Sequence, residues 1–115
     1  MQPIIKGTKK KLECSVRGMN YLYLTDDDVD FTVHFYVSGK HAQGCAEVTK
    51  SDCYFIYEEG STDSNTFHVV CDTSLLPLGQ LVAVLDITYL DIDTAKQLVD
   101  KVEVEFDDSY IIRDM

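Results

Sequence analysis

The chain has no tryptophan among its 115 residues, and its 20 acidic residues outnumber its 10 lysines and arginines. Because a net charge of −10 repels a phosphate backbone, no nucleic-acid partner is expected. The missing tryptophan removes the Cys-Trp-Cys hallmark of antibody domains. The sequence also lacks a G-x-S-x-G elbow and a glycine-rich phosphate loop. We therefore expect no catalytic residues, no cofactor and no enzymatic activity, although any acidic chain of this kind can place two carboxylates together as glycosidases do.

The four cysteines, Cys14, Cys45, Cys53 and Cys71, have no C-x-x-C spacing and no paired histidine ligands near them. A zinc site is therefore not expected. No charged and apolar leader precedes them, which argues against a disulfide framework. Cys14 and Cys71 are in phase with apolar neighbours at every second position, so we predict that both are buried as free thiols.

The clearest positive signal is the alternation of residues 30–37, DFTVHFYV, which is the period of a half-buried β-strand. The same period recurs over residues 11–17 and 101–106. Residues 80–90 are apolar on both faces and predict the central strand of a sheet. The loop-like composition of residues 58–65 separates two of these strand patterns.

These patterns predict an all-β protein, an immunoglobulin-like antiparallel β-sandwich of about seven or eight strands. A single helical turn is predicted at residues 93–100, before the last strand. The chain is short enough for one core, so we expect one sandwich domain over residues 11–115. Residues 1–10 are interpreted as an N-terminal arm.

Charge and aromatic content give the candidate binding residues. Basic residues collect at the start of the chain and acidic ones at 26–30, so neighbouring copies could attract one another, or the basic segment could be a solvated tail. The seven tyrosines favour an interface, since tyrosine supplies large contact area, or individual rings could cap the core. The predicted interface residues are Lys9, Lys10, Tyr21, Tyr23, Tyr54 and Tyr57.

The D-x-D-x-D spacing of residues 26–30 imitates the start of an EF-hand loop. Phe31 stands where the loop needs glycine and Val37 where it needs glutamate, so the EF-hand interpretation fails. A looser calcium site that adds Asp91 and Asp93 stays open beside the alternative of a solvated acidic loop.

The three histidines, His34, His41 and His68, are far apart in the sequence. A cross-strand pair of His34 and His68 could bind a metal, or each could be a solvent-facing residue of a strand. No metal site is assigned to them.

Three segments, DVDFTVHFYVSGK, EVTKSDCYFIYEEG and FHVVCDTSLLPLGQLVAVLDITYLD, carry a resemblance to a known family. The chain resembles short β-sandwich proteins from the tail regions of phages and prophages of gut Bacteroidetes, which are similar to the N-terminal domain of phage baseplate upper proteins. The resemblance covers residues 28–106. It departs at residues 94–97, where such proteins often carry Asp-Gly and an arginine, so a partner contact there is not carried over.

The resemblance implies a structural subunit of a bacteriophage virion, in the tail, the collar or ring, or as a baseplate adaptor, made in the cytoplasm of the bacterial host. Its expected partners are other virion proteins and copies of itself around a symmetry axis, with no membrane partner. The alternative is a small carbohydrate-binding module, with or without calcium.

Overall fold

The computed structural model describes residues 2–16, 24, 28–55, 66–91 and 93–113. Its nine strands in this part of the chain are β1 (Gln2–Ile5), β2 (Lys9–Ser15), β3 (Val29–Val37), β4 (Cys45–Thr49), β5 (Tyr54–Phe55), β6 (Thr66–Asp72), β7 (Gly79–Asp91), β8 (Lys96–Glu103) and β9 (Ser109–Ile112). Three single 3-10 turns complete it, at His41–Gln43, Lys50–Asp52 and Thr73–Leu75. The expected all-β class is confirmed.

The larger sheet has the strand order β1-β9-β7-β3-β4, with β8 also paired to β7. β7 is 13 residues long and serves two partners along one side. Its first residues, Gly79 and Gln80, pair with β9, and Val84–Asp91 pair with β8. β3 covers the other side of β7 in an antiparallel register. The prediction of a central strand at this position is confirmed.

The smaller sheet has the order β2-β6-β5 and is antiparallel. One core lies between the two sheets, because alternate residues of β3, β6 and β7 turn inward and are buried. Phe31 of β3 and Phe67 of β6 join the sheets directly, with ring centroids 5.7 Å apart. Burial of this apolar surface is the main force that holds the sheets together.

The segment after β8 ties the smaller sheet to the larger one. The amide of Val104 donates to the carbonyl of Ala83 in β7. Glu105 then leaves the larger sheet and forms an antiparallel bridge with Ser15 of β2, with N–O distances of 2.8 and 2.9 Å. The chain returns as β9, which lies between β1 and β7.

Residues 2–5 of the expected arm form β1, which pairs in parallel with β9. Ile4 is buried in the common core. Lys9 and Lys10 begin β2. The segment is extended, but it is bound within its own chain, and the β1–β9 pair is a parallel element in sheets whose other described pairs are antiparallel.

The predicted helical turn at residues 93–100 is wrong. Residues 93–95 form a tight turn, closed by Ala95 in the left-handed region at φ 56°. β8 starts at once and pairs with β7 from Lys96 opposite Asp91 to Glu103 opposite Val84. The adjacent apolar residues Leu98 and Val99 broke the alternation that reveals a strand.

Cys14 and Cys71 are fully buried as predicted, and Cys53 is buried beside them. Gly79 is the first residue of β7 and has a positive φ of 134°. A Cβ at this position would lie 2.6 Å from Cγ1 of Val37, so glycine is required by both conformation and space.

Candidate interaction surface

The outer face of the smaller sheet presents an aromatic and aliphatic patch. Phe67, Val69 and Cys71 of β6 face the core, so the intervening residues His68 and Val70 face outward. His68 lies opposite Tyr54 of β5, and Val70 lies opposite Lys11 of β2. We call Lys11, Tyr54, His68 and Val70 the β6 patch.

The β6 patch exposes one aromatic and one aliphatic side chain next to Lys11 and His68. Tyr54 is 72% exposed and Val70 is 48% exposed. With Lys11, His68 and Val69 they line a shallow groove of about 280 Å³. Aromatic and aliphatic side chains of this kind supply contact area at protein interfaces, while the lysine and histidine supply polar contacts at the rim.

A second groove, of about 570 Å³, runs along the edge of β2 that faces away from β6. The side chains and backbone of residues 10–15 form one wall, and Gln2 with residues 105–107 forms the other. Lys11 belongs to both grooves, so the β6 patch and the β2 edge form one continuous surface.

β2 contributes positive charge to this surface, whereas Glu105 and Asp107 place acidic groups on the opposite wall of the groove. β2 contains Lys9, Lys10 and Lys11 against the single acidic residue Glu13. Lys9 lies opposite Asp72 of β6. The hydroxyl and amide of Ser74 donate to Asp72 and hold the pKa of its carboxyl below its usual value, and Lys9 adds to that effect.

The structure places three of the six predicted interface residues on this one sheet. Lys9 and Lys10 lie in β2, and Tyr54 lies in β5 at the opposite edge, with β6 between them. The other three, Tyr21, Tyr23 and Tyr57, lie outside the described residues.

Sequence reasoning missed Val70 as a surface residue, and it considered His68 as solvent-facing or as a metal ligand but not as part of an interface. The signal was the adjacent pair Val69-Val70, because two consecutive residues of a strand face opposite sides and only one can enter the core. When a sheet packs against the core on one face only, one valine of such a pair must lie on the surface.

The outer face of the larger sheet carries a separate polar cluster around His34. Its Nδ1 lies 3.2 Å from Oε1 of Glu47, and its Nε2 lies 2.6 Å from Oδ2 of Asp86. Lys101 contacts the other oxygen of Asp86 at 3.3 Å. Beside this cluster the rings of Tyr36 and His41 lie 4.6 Å apart, and together these side chains line a groove of about 340 Å³.

The two candidate metal sites are not assembled in the described residues. His34 and His68 face outward from different sheets, so they are not brought together. Asp26 and Asp27 of the looser calcium site lie outside the described residues. Across residues 2–16, 24, 28–55, 66–91 and 93–113, no group of three or more histidine, cysteine or acidic side chains is arranged to hold a metal ion.

The described part of the chain also contains no helix of the length and apolar character needed to cross a membrane.

The two sheets, their common core and this surface define an all-β protein with a candidate protein-binding face. Comparison with protein-family models, with curated proteins and with solved structures finds no match for the chain.

Proposed function

We propose that this protein is a non-enzymatic structural subunit of a bacteriophage virion, in the tail, the collar or ring, or as a baseplate adaptor. It acts by packing against other virion proteins and against copies of itself around a symmetry axis. The observation that carries this proposal is the continuous surface formed by the β6 patch and the open edge of β2.

The chemistry of this surface supports binding to a protein. Tyr54 and Val70 expose contact area that gains free energy when water is removed from it. The β2 edge offers backbone donors and acceptors, which are ready templates for pairing with another chain. Such a combination is suited to a static contact between subunits.

The resemblance of residues 28–106 to short phage tail-region proteins supplies the biological setting of the proposal. In that setting the two sheets form an immunoglobulin-like sandwich, a scaffold whose outer faces and edges are free to contact neighbours. The protein is made in the host cytoplasm and ends in the particle.

The test is mass spectrometry of purified particles of a phage that encodes the chain, together with the solution mass of the isolated protein. We expect the chain at many copies per particle. Its absence from particles would overturn the proposal.

A matched pair of variants tests the surface itself. Val70→Asp places a charge in the β6 patch, and we expect it to reduce incorporation into particles while the protein stays folded. Leu75→Asp is the control, because Leu75 is 57% exposed and lies in the 3-10 turn outside the patch. Equal incorporation of both variants would mean that the β6 patch takes no part in the contact between subunits.

A small carbohydrate-binding module is the second candidate, and the groove at His34 favours it. The rings of Tyr36 and His41 could stack on a sugar, with Glu47, Asp86 and Lys101 as hydrogen-bonding groups at its rim. A ligand that binds the native state raises the unfolding temperature. A panel of oligosaccharides, with and without Ca²⁺, should then stabilise the protein, and a panel without effect would exclude this candidate.

A further inference from the structure

The edge of β2 that faces away from β6 has an orderly set of backbone hydrogen-bonding groups. Ser15 directs both its N–H and its C=O to Glu105 on this side. In an antiparallel strand these directions alternate with each residue. Glu13, Lys11 and Lys9 therefore direct their backbone groups to the same open side.

The other residues of β2 confirm this alternation. The carbonyl of Thr8 accepts from the amide of Thr73, which follows β6, so even-numbered residues face the β6 side. Among the described residues, Glu105 alone pairs with the open side, opposite Ser15. Phe106 and Asp107 line the groove beside β2 without pairing with it, so within the described residues Glu13, Lys11 and Lys9 have no strand partner on this side and form the open stretch of the edge.

The side chains of β2 specify what can pair there. Leu12 and Cys14 are buried on the inner face, and Lys9, Lys11 and Glu13 are exposed on the outer face. Directly opposed residues of a strand pair lie on the same face. An incoming strand thus fits best with an apolar residue opposite Leu12 and acidic residues opposite Lys11 and Lys9.

We propose that the open edge of β2 binds an extended strand of a partner subunit in which apolar and acidic residues alternate. The strand adds to the smaller sheet by backbone hydrogen bonds to Glu13, Lys11 and Lys9. The lysines select for acidic residues, and Glu13 disfavours an acidic residue opposite itself, which sets the register.

The bridge between Ser15 and Glu105 supplies the probe. In residues 102–108, VEVEFDD, apolar and acidic residues alternate up to Asp107, and Glu105 of this segment already pairs with β2 in the folded chain. A capped, fluorescently labelled peptide of this sequence should bind the isolated protein. Its affinity should fall as salt is added, because the contact between lysines and carboxylates is screened.

Charge reversal tests the lysines. The double variant Lys9→Glu with Lys11→Glu should raise the dissociation constant of the peptide by about tenfold or more at low salt. The matched control reverses Lys6 and Lys96, which are exposed residues outside the open edge, and it should bind as the unmodified protein does. A second peptide with lysine in place of each acidic residue should bind much more weakly.

Amide signals locate the strand. On titration with the first peptide, the amides of Lys11 and Glu13 should shift and become protected from exchange, whereas those of β8 should not change. No binding at millimolar peptide, protection elsewhere, or equal binding of the acidic and basic peptides would overturn the proposal. Loss of binding in the control variant to the same degree would do the same.

This inference rests on the proposed function only for the source of the strand, a neighbouring virion subunit. The peptide titration uses the isolated protein, so it tests the β2 edge without particles. Peptide binding together with absence of the chain from particles would reject the virion function and leave the edge inference intact. Presence in particles without peptide binding would reject the edge inference alone.

Discussion

The hydroxyl of Thr73 joins the turn before β2 to the end of β6. It donates to the carbonyl of Thr8 at 2.7 Å and accepts from the amide of Gly7 at 3.0 Å. The side chain is fully buried. Since a buried polar group is tolerated when its hydrogen bonds are made, Thr73 fixes the point at which the chain passes from the larger sheet to the smaller one.

Replacement of Thr73 tests this contact. Thr73→Val keeps the shape of the side chain but leaves the carbonyl of Thr8 and the amide of Gly7 without this partner. We expect the free energy of unfolding to fall by about 1–3 kcal/mol, because two hydrogen bonds of about 0.5–1.5 kcal/mol each are lost, while the carbonyl of Thr8 keeps its bond from the amide of Thr73. Urea denaturation followed by far-UV circular dichroism measures the change.

Thr73→Ser is the control, because it keeps the hydroxyl and removes only a methyl group. It should lose clearly less stability than Thr73→Val. Equal losses would mean that packing of the methyl group, and not the two hydrogen bonds, accounts for the contribution of this residue.

At the level of elements, β1 is a structural strand of the larger sheet. It completes the pairing of β9, and its residue Ile4 is only 3% exposed while its neighbour Ile5 is 41% exposed. The two residues have the same side chain and are adjacent in one strand, so a comparison of them isolates the effect of burial.

This difference gives a matched pair of variants. Ile4→Ala should lower the free energy of unfolding by about 2–4 kcal/mol, because it removes buried methyl groups and leaves a cavity. Ile5→Ala should cost less than about 1 kcal/mol, as surface substitutions usually do. Chemical denaturation of both variants measures the difference, and similar small losses would place β1 outside the stable core.

The sequence predicted the strands in which apolar residues alternate or fill both faces, and it did not predict β8 and β1, where that pattern is missing. β3 was identified because its inward residues alternate without interruption, and β7 because both of its faces are apolar. β8 was assigned a helical turn because Leu98 and Val99 are adjacent, so no alternation of apolar and polar residues marks its first half, which is exposed in the structure. β1 pairs with a strand more than 100 positions away, a contact that no local pattern encodes.

The candidate site was predictable to a similar extent. Basic composition identified Lys9 and Lys10, and exposed aromatic content identified Tyr54. The open edge of β2 could not be predicted, because it depends on how Glu105 leaves the larger sheet, pairs with one residue of β2 and turns back. Whether a strand lies at the edge of a sheet depends on the topology of the whole chain. The alternation of residues within one strand carries no information about it.

For the whole molecule, three thiols lie in the core: Cys14 of β2, Cys71 of β6 and Cys53, which comes directly before β5. Burial raises the pKa of Cys14 and of Cys71 to about 12 and that of Cys53 to about 11. Their usual value is 9.0, so the unfolded chain loses these protons at lower pH than the native protein does. Above pH 9 the native state binds more protons than the unfolded state, and the free energy of unfolding must fall as pH rises.

We expect this alkaline loss of stability to depend on the buried thiols. Between pH 9 and 11 each of the three contributes a slope of up to about 1.4 kcal/mol per pH unit. Tyrosines and lysines also titrate in this range, so the slope is compared between variants by urea denaturation at pH 8, 9 and 10. Cys71→Ala should be less stable at pH 8 but lose stability less steeply above pH 9, because one of the protons is no longer exchanged on unfolding.

Cys45→Ala is the control for this comparison, since Cys45 is partly exposed and stands outside the core. It should retain the full slope of the unmodified protein. If Cys71→Ala and Cys45→Ala have the same slope, the thiol of Cys71 ionises as readily in the native protein as in the unfolded chain. That result would mean that water reaches the inner face of β6, and the two sheets would then not share a closed core.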